Sequence, residues 1–399
     1  MSPLHIYDRR ERALVAAADR LFGLTAAVTR PFRSRHQAAS PRRILLLRLE
    51  RIGDLLMALP AIADVRALAP DAGIDLVVGS WNADLARAID PVTRVQVLDA
   101  EWLAREGGGL GLPALARAAR QWRGARYDLA INFEPDVRSN LLIAMSGAAW
   151  TAGYRSGGGG ELLDVALDYD TQAHTTDNAR RLVATIFGRT PPAGSGPALS
   201  VPAEAHQRAS RMLGDPRGPL VGVHASGGRA IKQWEPDRFA EVAHRLIATT
   251  GATIVLSGSA GDRALVDRVK QALPAAHVID VAGQLDLPTL AGVLERLDLL
   301  ITGDTGPMHL AAAVGTPIVA VFGPSEPGRY RPRGPRDRVV RIDLPCSPCN
   351  RIRRPPERCV GHTPDCLAFI SADSVFAAVL SILDDSGRRG DIQARTSTA

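Results

Sequence analysis

Short apolar runs, each followed by a turn and then by a stretch with helical spacing, recur along most of this chain. Ile44 to Leu47 is the first; it meets Gly53-Asp54 and an apolar-periodic helix through Leu68. Ile74 to Gly79, Val95 to Leu98 and Tyr127 to Asn132 continue the rhythm. Runs that are apolar throughout, without alternation, are strands covered on both faces. Such strands alternating with helices make a doubly wound parallel sheet, so the fold class is α/β.

A Pro-, Gly- and Ser-rich stretch with one short helical patch, 191–218, then interrupts the pattern and reads as a linker. Beyond it the rhythm resumes. Leu220 to His224, Ala252 to Ser257, Val278 to Val281, Leu297 to Thr302 and Ile318 to Phe322 read as strands, the last of these as the final one. Helices fall at Phe239 to Thr249, Arg263 to Ala272, Leu287 to Arg296 and Met308 to Val314. A chain of 399 residues exceeds what one core usually holds, so two domains are expected. Their bounds read as 43–190 and 219–370, followed by a closing helix at 371–385 and a polar, disordered tail at 386–399. Two such halves joined by a linker imply a cleft, with ligands beyond the carboxyl ends of the strands.

Residues 1–42 stand apart. Arg9, Arg10, Arg12, Arg20, Arg30, Arg33, Arg35 and Arg42, with Arg43 just beyond, surround Leu14, Val15, Ala18, Leu21, Phe22 and Leu24. The spacing 14, 18, 21, 22 is helical. A basic amphipathic helix fits an anionic membrane surface, each basic residue there contributing about 1 kcal/mol. A helix packed on the core, or a mobile leader, is the alternative. The net charge of +6 is spread along the chain and suits anionic partners or an Arg-rich codon preference equally. Nucleic acid is disfavoured, because the basic residues are not interleaved with stacking aromatics. No apolar run reaches the roughly 20 residues that span a bilayer. Leu14 to Ala18 is too short for a secretory signal, so the chain is expected in the cytoplasm, peripheral on the inner membrane if its leader binds there.

Four segments carry chemistry. In 45–62, Gly53 permits a tight turn, and Asp54 sits where a carboxylate can reach past a strand end. On spacing alone, Asp54 reads as a helix cap. No G-x-G-x-x-G follows the first strand, which disfavours a nicotinamide cofactor. In 221–242, the turn Ser226-Gly227-Gly228 can offer N–H groups to a phosphate and Lys232 can neutralise a diphosphate, while Trp234 reads as packing. The sharpest segment is 299–327: a strand ends in Gly303-Asp304-Thr305-Gly306, Pro307 opens a helix and His309 lies in its first turn. Free N–H groups and the dipole at such a helix start bind anions. The alternative is that Asp304 and Thr305 only cap the helix. Last, Cys346, Cys349, Cys359 and Cys366 fall within a loop at 345–367. Their C-x2-C knuckle plus two more thiols suits a structural zinc or an iron–sulfur site, with free thiols or a redox disulfide as alternatives. Confinement of all four to one segment argues against a disulfide-stapled secreted protein.

The runs "RLERIGDLLMALPAI" and "GDTGPMHLAAAVGTPIVAVFGPSEP" together resemble glycosyltransferase family 9, the ADP-heptose:lipopolysaccharide heptosyltransferases, over residues 43–380. The resemblance implies a GT-B fold, two Rossmann-like domains facing a cleft, and an inverting reaction with no metal or other cofactor in catalysis. It implies that Asp54 is the general base and that Gly53 and Arg138 face the acceptor. It also implies that Ser226, Lys232, Asp262, Asp304, Thr305, Gly306 and His309 hold the donor. The partners implied are a nucleotide sugar, ADP-linked by preference, and a phosphorylated or lipid-linked cell-surface glycan. Arg51 departs from the small polar residue common in that position. A nucleotide-sugar epimerase of the same architecture, which needs no acceptor, and a non-catalytic nucleotide-sugar-binding scaffold are the competing readings.

Overall fold

The computed structural model describes residues 4, 9–29, 40–103, 108–191, 199–216, 218–352 and 355–385. Expectations placed on Arg30, Arg33, Arg35 and the tail 386–399 lie outside the described residues, as do those on the side chains of Arg9 and Leu24. The chain divides into two compact units, Met1–Ser200 and Val201–Ala399.

Unit 1 begins with helix α1 (Arg9–Thr29) and strand β1 (Arg43–Leu47), followed by α2 (Ile52–Leu68), β2 (Gly73–Val78), α3 (Ala83–Arg87) and β3 (Arg94–Val97). Then come α4 (Leu112–Gln121), β4 (Leu129–Asn132), α5 (Val137–Met145), β5 (Trp150–Tyr154), β6 (Val165–Leu167) and α6 (Thr175–Phe187). The six strands form one sheet in the order β3-β2-β1-β4-β5-β6, with parallel pairing throughout. Ile44 through Leu47 are fully buried, as a central strand covered on both faces requires. Helix α2 packs against α6, fixed by Arg180, whose guanidinium forks onto the fully buried Asp64 at 2.7 and 3.2 Å. Helix α1 lies on this unit: Val15 is buried, and Asp19 Oδ1 accepts the Gly159 N–H at 2.6 Å. A Cβ on Gly158 would fall 2.2 Å from Val15, so only glycine lets the helix approach.

Unit 2 opens with α7 (Ala203–Leu213), β7 (Leu220–His224), α8 (Pro236–Thr250), β8 (Thr253–Leu256), α9 (Arg263–Gln271), β9 (Val278–Asp280) and α10 (Leu287–Glu295). It continues with β10 (Leu299–Gly303), α11 (Gly306–Ala313), β11 (Ile318–Val321), α12 (Pro327–Tyr330), β12 (Arg338–Val340), α13 (Asp365–Ala368) and α14 (Ala372–Asp385). Its sheet runs β12-β11-β10-β7-β8-β9, again parallel throughout. With strands counted from the start of each unit, both sheets have the order 3-2-1-4-5-6, the doubly wound arrangement expected from the alternating pattern. Trp234 is a packing residue: it is 1% exposed, meets Phe239 edge to face and donates Nε1–H to Ile370 O at 3.2 Å.

Three strands escape the sequence reading. β5 carries Ala and Gly, β6 is three residues long, and β12 follows the run that reads as final. Within 191–218, residues 203–213 form α7, an amphipathic helix that buries Ala205, Ala209 and Leu213 and packs on α10.

Candidate active site

In each unit the strand order reverses direction between two neighbours, β1 and β4 in unit 1, β7 and β10 in unit 2. Doubly wound sheets take ligands beyond the carboxyl ends of such a pair. The base, acceptor and donor candidates fall there, except Asp262, which follows β8; the four cysteines lie elsewhere, after β12.

In unit 1, Asp54 is the third residue of α2. Its Oδ2 accepts the Arg51 N–H at 3.2 Å, so it does tie down the helix start, although it is not the capping residue itself. Its Oδ1 lies 3.5 Å from Arg48 Nη2, and its side chain remains 29% exposed. Gly53 precedes it in the first turn of α2. Past β4, Arg138 lies in the first turn of α5, its guanidinium paired to the capping Asp136 at 2.6 and 3.0 Å and stacked over Trp102 at 4.5 Å. Arg51 lies over Trp81 at 5.2 Å and donates to Leu103 O at 2.5 Å.

Three charged residues clustered about Arg48 beside Asp54 were not picked out by sequence reading: Arg48 itself, Glu50 and Glu134. Arg48 is 3% exposed, donates to Phe133 O, and lies 3.0 Å from Glu50 Oε2. Burial would strip its proton, but Glu50, Asp54, Glu134 and Tyr169 together hold it more firmly than usual. Burial lifts the Glu50 carboxyl above the ordinary range; Arg48 opposes this, while Asp54, Glu134 and Asp136 add to it. Glu134, 1% exposed, accepts from the backbone N–H groups of Leu49 and Glu50 and from the Ser139 hydroxyl. A charged pair directly after an apolar run, as in Leu47-Arg48-Leu49-Glu50, was the available signal.

In unit 2, the turn after β7 is tight for a reason of its own. A Cβ on Gly227 would sit 2.7 Å from the Lys232 carbonyl carbon and 2.8 Å from Gln233 N, so the turn runs against the Lys232 backbone. Gly303 lies under the same segment, its Cβ position 3.3 Å from Lys232 O. That close passage delivers Lys232 to the end of β10, where its Nζ meets Asp304 Oδ2 at 2.7 Å. Burial alone would raise the Asp304 carboxyl, but Lys232, His309 and a Ser325 hydrogen bond hold it below the usual range. Thr305 caps α11, its hydroxyl accepting the Met308 N–H at 3.4 Å, while Gly306 and Pro307 form the first turn and His309 is buried beside them. Asp262, past β8, accepts from Ser259 N at 2.8 Å and Ser259 Oγ at 2.6 Å. Burial would raise its carboxyl, but the hydrogen bonds from Ser259 and Ser226 outweigh this and lower it, tying the ends of β7 and β8 together. The seven donor-side candidates are thus brought together at one edge of unit 2.

The cysteine loop lies against the end of β11: Ser347 Oγ donates to Gly323 O at 2.8 Å and Asn350 Oδ1 accepts the Glu326 N–H at 2.9 Å. Cys366 is buried and its thiol is pushed up to about 11, by burial first and then by the fields of Cys349, Cys346 and Cys359. Among the described residues, no three His, Cys, Asp or Glu side chains converge as a metal-holding group.

Residues 115–359, more than half of the chain, match the family model described as glycosyltransferase family 9 (heptosyltransferase). The chain is 26% identical to lipooligosaccharide heptosyltransferase 2 of Haemophilus influenzae over 75% of its own length and 88% of that protein. It is 27% identical to lipopolysaccharide heptosyltransferase 1 of Pseudomonas aeruginosa over 77% and 86% of the two chains. Its fold matches the structure of E. coli ADP-heptose lps heptosyltransferase II, with a TM-score of 0.70 at 21% identity, covering 86% of this chain and 99% of that one. Together with the paired parallel sheets, these matches place the chain in glycosyltransferase family 9, the heptosyltransferase family.

Proposed function

We propose that this glycosyltransferase moves heptose from ADP-heptose onto a phosphorylated, lipid-linked core glycan, with inversion and without a catalytic metal. In unit 1, Asp54 takes the proton of an acceptor hydroxyl. The acceptor oxygen bonds to the anomeric carbon, the bond from that carbon to the diphosphate breaks, and its electron pair leaves with ADP. A positioned base of this kind contributes about 10²–10⁴-fold. In unit 2, Lys232 and the free N–H groups opening α11 meet the charge that gathers on the leaving diphosphate. His309, Thr305 and Gly306 complete that cradle; Asp262 and Ser226 face the ribose, and Gly53 and Arg138 face the acceptor. Attack on one face as the diphosphate leaves the other gives inversion.

The observation that carries the reading is the Lys232–Asp304 pair at the start of α11, 2.7 Å apart and largely buried. An ammonium delivered to a helix N-terminus is an anion site in waiting. The relatives' names add ADP-heptose and lipopolysaccharide as substrate classes. Calorimetry against ADP, UDP and GDP, repeated with Asp304→Ala, tests it. Selective ADP binding that is lost in the variant is expected; preference for UDP or GDP would retain the fold and remove ADP-heptose.

We also propose that the protein works in the cytoplasm on the inner membrane surface, with α1 as its contact. No described helix is long and apolar enough to cross a membrane. One side of α1 is packed through Val15 and Asp19, whereas Leu14 and Leu21, seven residues apart on the opposite side, are 72% and 63% exposed. With the arginines of residues 1–43, that face fits an anionic leaflet. Co-sedimentation with anionic vesicles should fall severalfold in Leu14→Glu/Leu21→Glu at unchanged ADP affinity; equal sedimentation would remove α1 from this role.

A further inference from the structure

We infer that Arg48 is the positioning residue for Asp54: its buried guanidinium orients that carboxylate at the start of α2. The inference rests on the reading of Asp54 as the base. A general base has to present one lone pair to the acceptor hydroxyl, so its other contacts decide its orientation. Asp54 has two such contacts within unit 1. Oδ2 accepts the Arg51 N–H at 3.2 Å, and Oδ1 faces Arg48 Nη2 at 3.5 Å. Arg48 also donates Nε–H to the Asp54 carbonyl at 3.2 Å, so one guanidinium addresses both ends of the residue.

The guanidinium itself cannot wander. Its Nη1 donates to Phe133 O at the end of β4 and lies 3.0 Å from Glu50 Oε2. Arg48 is 3% exposed, so water screens its charge little, whereas Asp54 at 29% exposure can still meet a substrate. The groups facing Arg48 are Glu50 and Asp54 from the loop and helix after β1, Glu134 from the segment after β4, and Tyr169. Glu134 is occupied by Leu49, Glu50 and Ser139, and Asp136 by Arg138. Glu50 is as exposed as Asp54, 29% each, and meets Nη1; Asp54 alone of the two stands on the first turn of α2, where the same guanidinium holds both its carboxylate and its carbonyl. A fork that serves a carbonyl, a second carboxylate and Asp54 together is a task for Arg; Lys brings the charge without the geometry.

A purely structural ion pair would show in stability alone. A positioning role shows in turnover at unchanged binding. Without the fork the Asp54 carboxylate is free to turn away from the acceptor hydroxyl, and misplacement of a base lowers kcat rather than substrate binding. In Arg48→Met kcat should fall at least about tenfold, with the acceptor KM and the ADP affinity, which resides in unit 2, within twofold of wild type. In Arg48→Lys kcat should stay about tenfold low, because the charge is restored and the fork is not. Wild-type kcat in Arg48→Met, or full kcat in Arg48→Lys, overturns the inference. Should Arg48→Met fail to fold, the kcat of Arg48→Lys decides alone. Wild-type turnover that Asp54→Asn abolishes is established first. Absence of any turnover in the wild type is thereby a failure of the proposed reaction, distinguishable from a failure of Arg48.

Discussion

His224 closes β7 with its imidazole buried and Nδ1 3.1 Å from the Ser257 hydroxyl. Burial pushes its pKa down to about 4, against weaker upward pulls from Asp262 and Ser257. The folded protein therefore holds this ring neutral, while the unfolded chain protonates it near pH 6.5. Between those values the unfolded state binds more protons, so stability falls as pH drops from 6.5 towards 4. His224→Gln should lose less unfolding free energy than wild type between pH 7 and pH 5, by about 2 kcal/mol, read by urea denaturation at both values. Equal losses would mean that the ring is not the group responsible. At this scale the sequence was informative where a residue type met a special backbone position. Asp54 after Gly53 and Thr305 before Gly306-Pro307 could be named because strand-to-helix turns have few solutions. Glu134 could not, because it meets Leu49 and Glu50 across 84 residues or more and spacing carries no sign of that, while Arg48 and Glu50 showed only as a charged pair after an apolar run.

The elements follow the same logic. Central strands β1, β4, β7 and β10 are apolar on both faces and stand out as continuous runs. The edge strands β6 and β12 are three residues each and only partly buried, so their sequences lack that signature. Helix α7 was partly hidden by the Pro and Gly on either side of it. Helix α2, which carries Asp54, depends on more than its own sequence: Asp64 on its inner side is fully buried and satisfied by Arg180 of α6. Removing the cation takes a two-pronged, charge-assisted hydrogen bond away from a buried carboxylate. Arg180→Met should cost about 1–3 kcal/mol in thermal or chemical unfolding, whereas an unchanged stability would show that the pair does not hold α2 to α6.

At the scale of the molecule, two units repeat one strand order, and each gathers its chemistry where that order reverses. Unit 1 offers a carboxylate beside a buried cation; unit 2 offers an ammonium and a helix N-terminus suited to a diphosphate. The two sheets were legible in the alternation of strands and helices; the roles assigned to the motifs at their ends came from the family resemblance. The packing of α1 on unit 1 was not legible, because Gly158 and Gly159 announce no partner in sequence. The central claim is that Asp54 drives acceptor-dependent transfer while the donor is held elsewhere in the chain. The most direct test is release of ADP from ADP-heptose with and without a phosphorylated core-glycan acceptor, measured for wild type and Asp54→Asn, with the anomeric configuration of the product read by NMR. The account predicts release that requires acceptor, an inverted product, and a fall of at least about 10²-fold in Asp54→Asn at unchanged ADP affinity. Release that ignores the acceptor, or near-normal turnover in the variant, would contradict it.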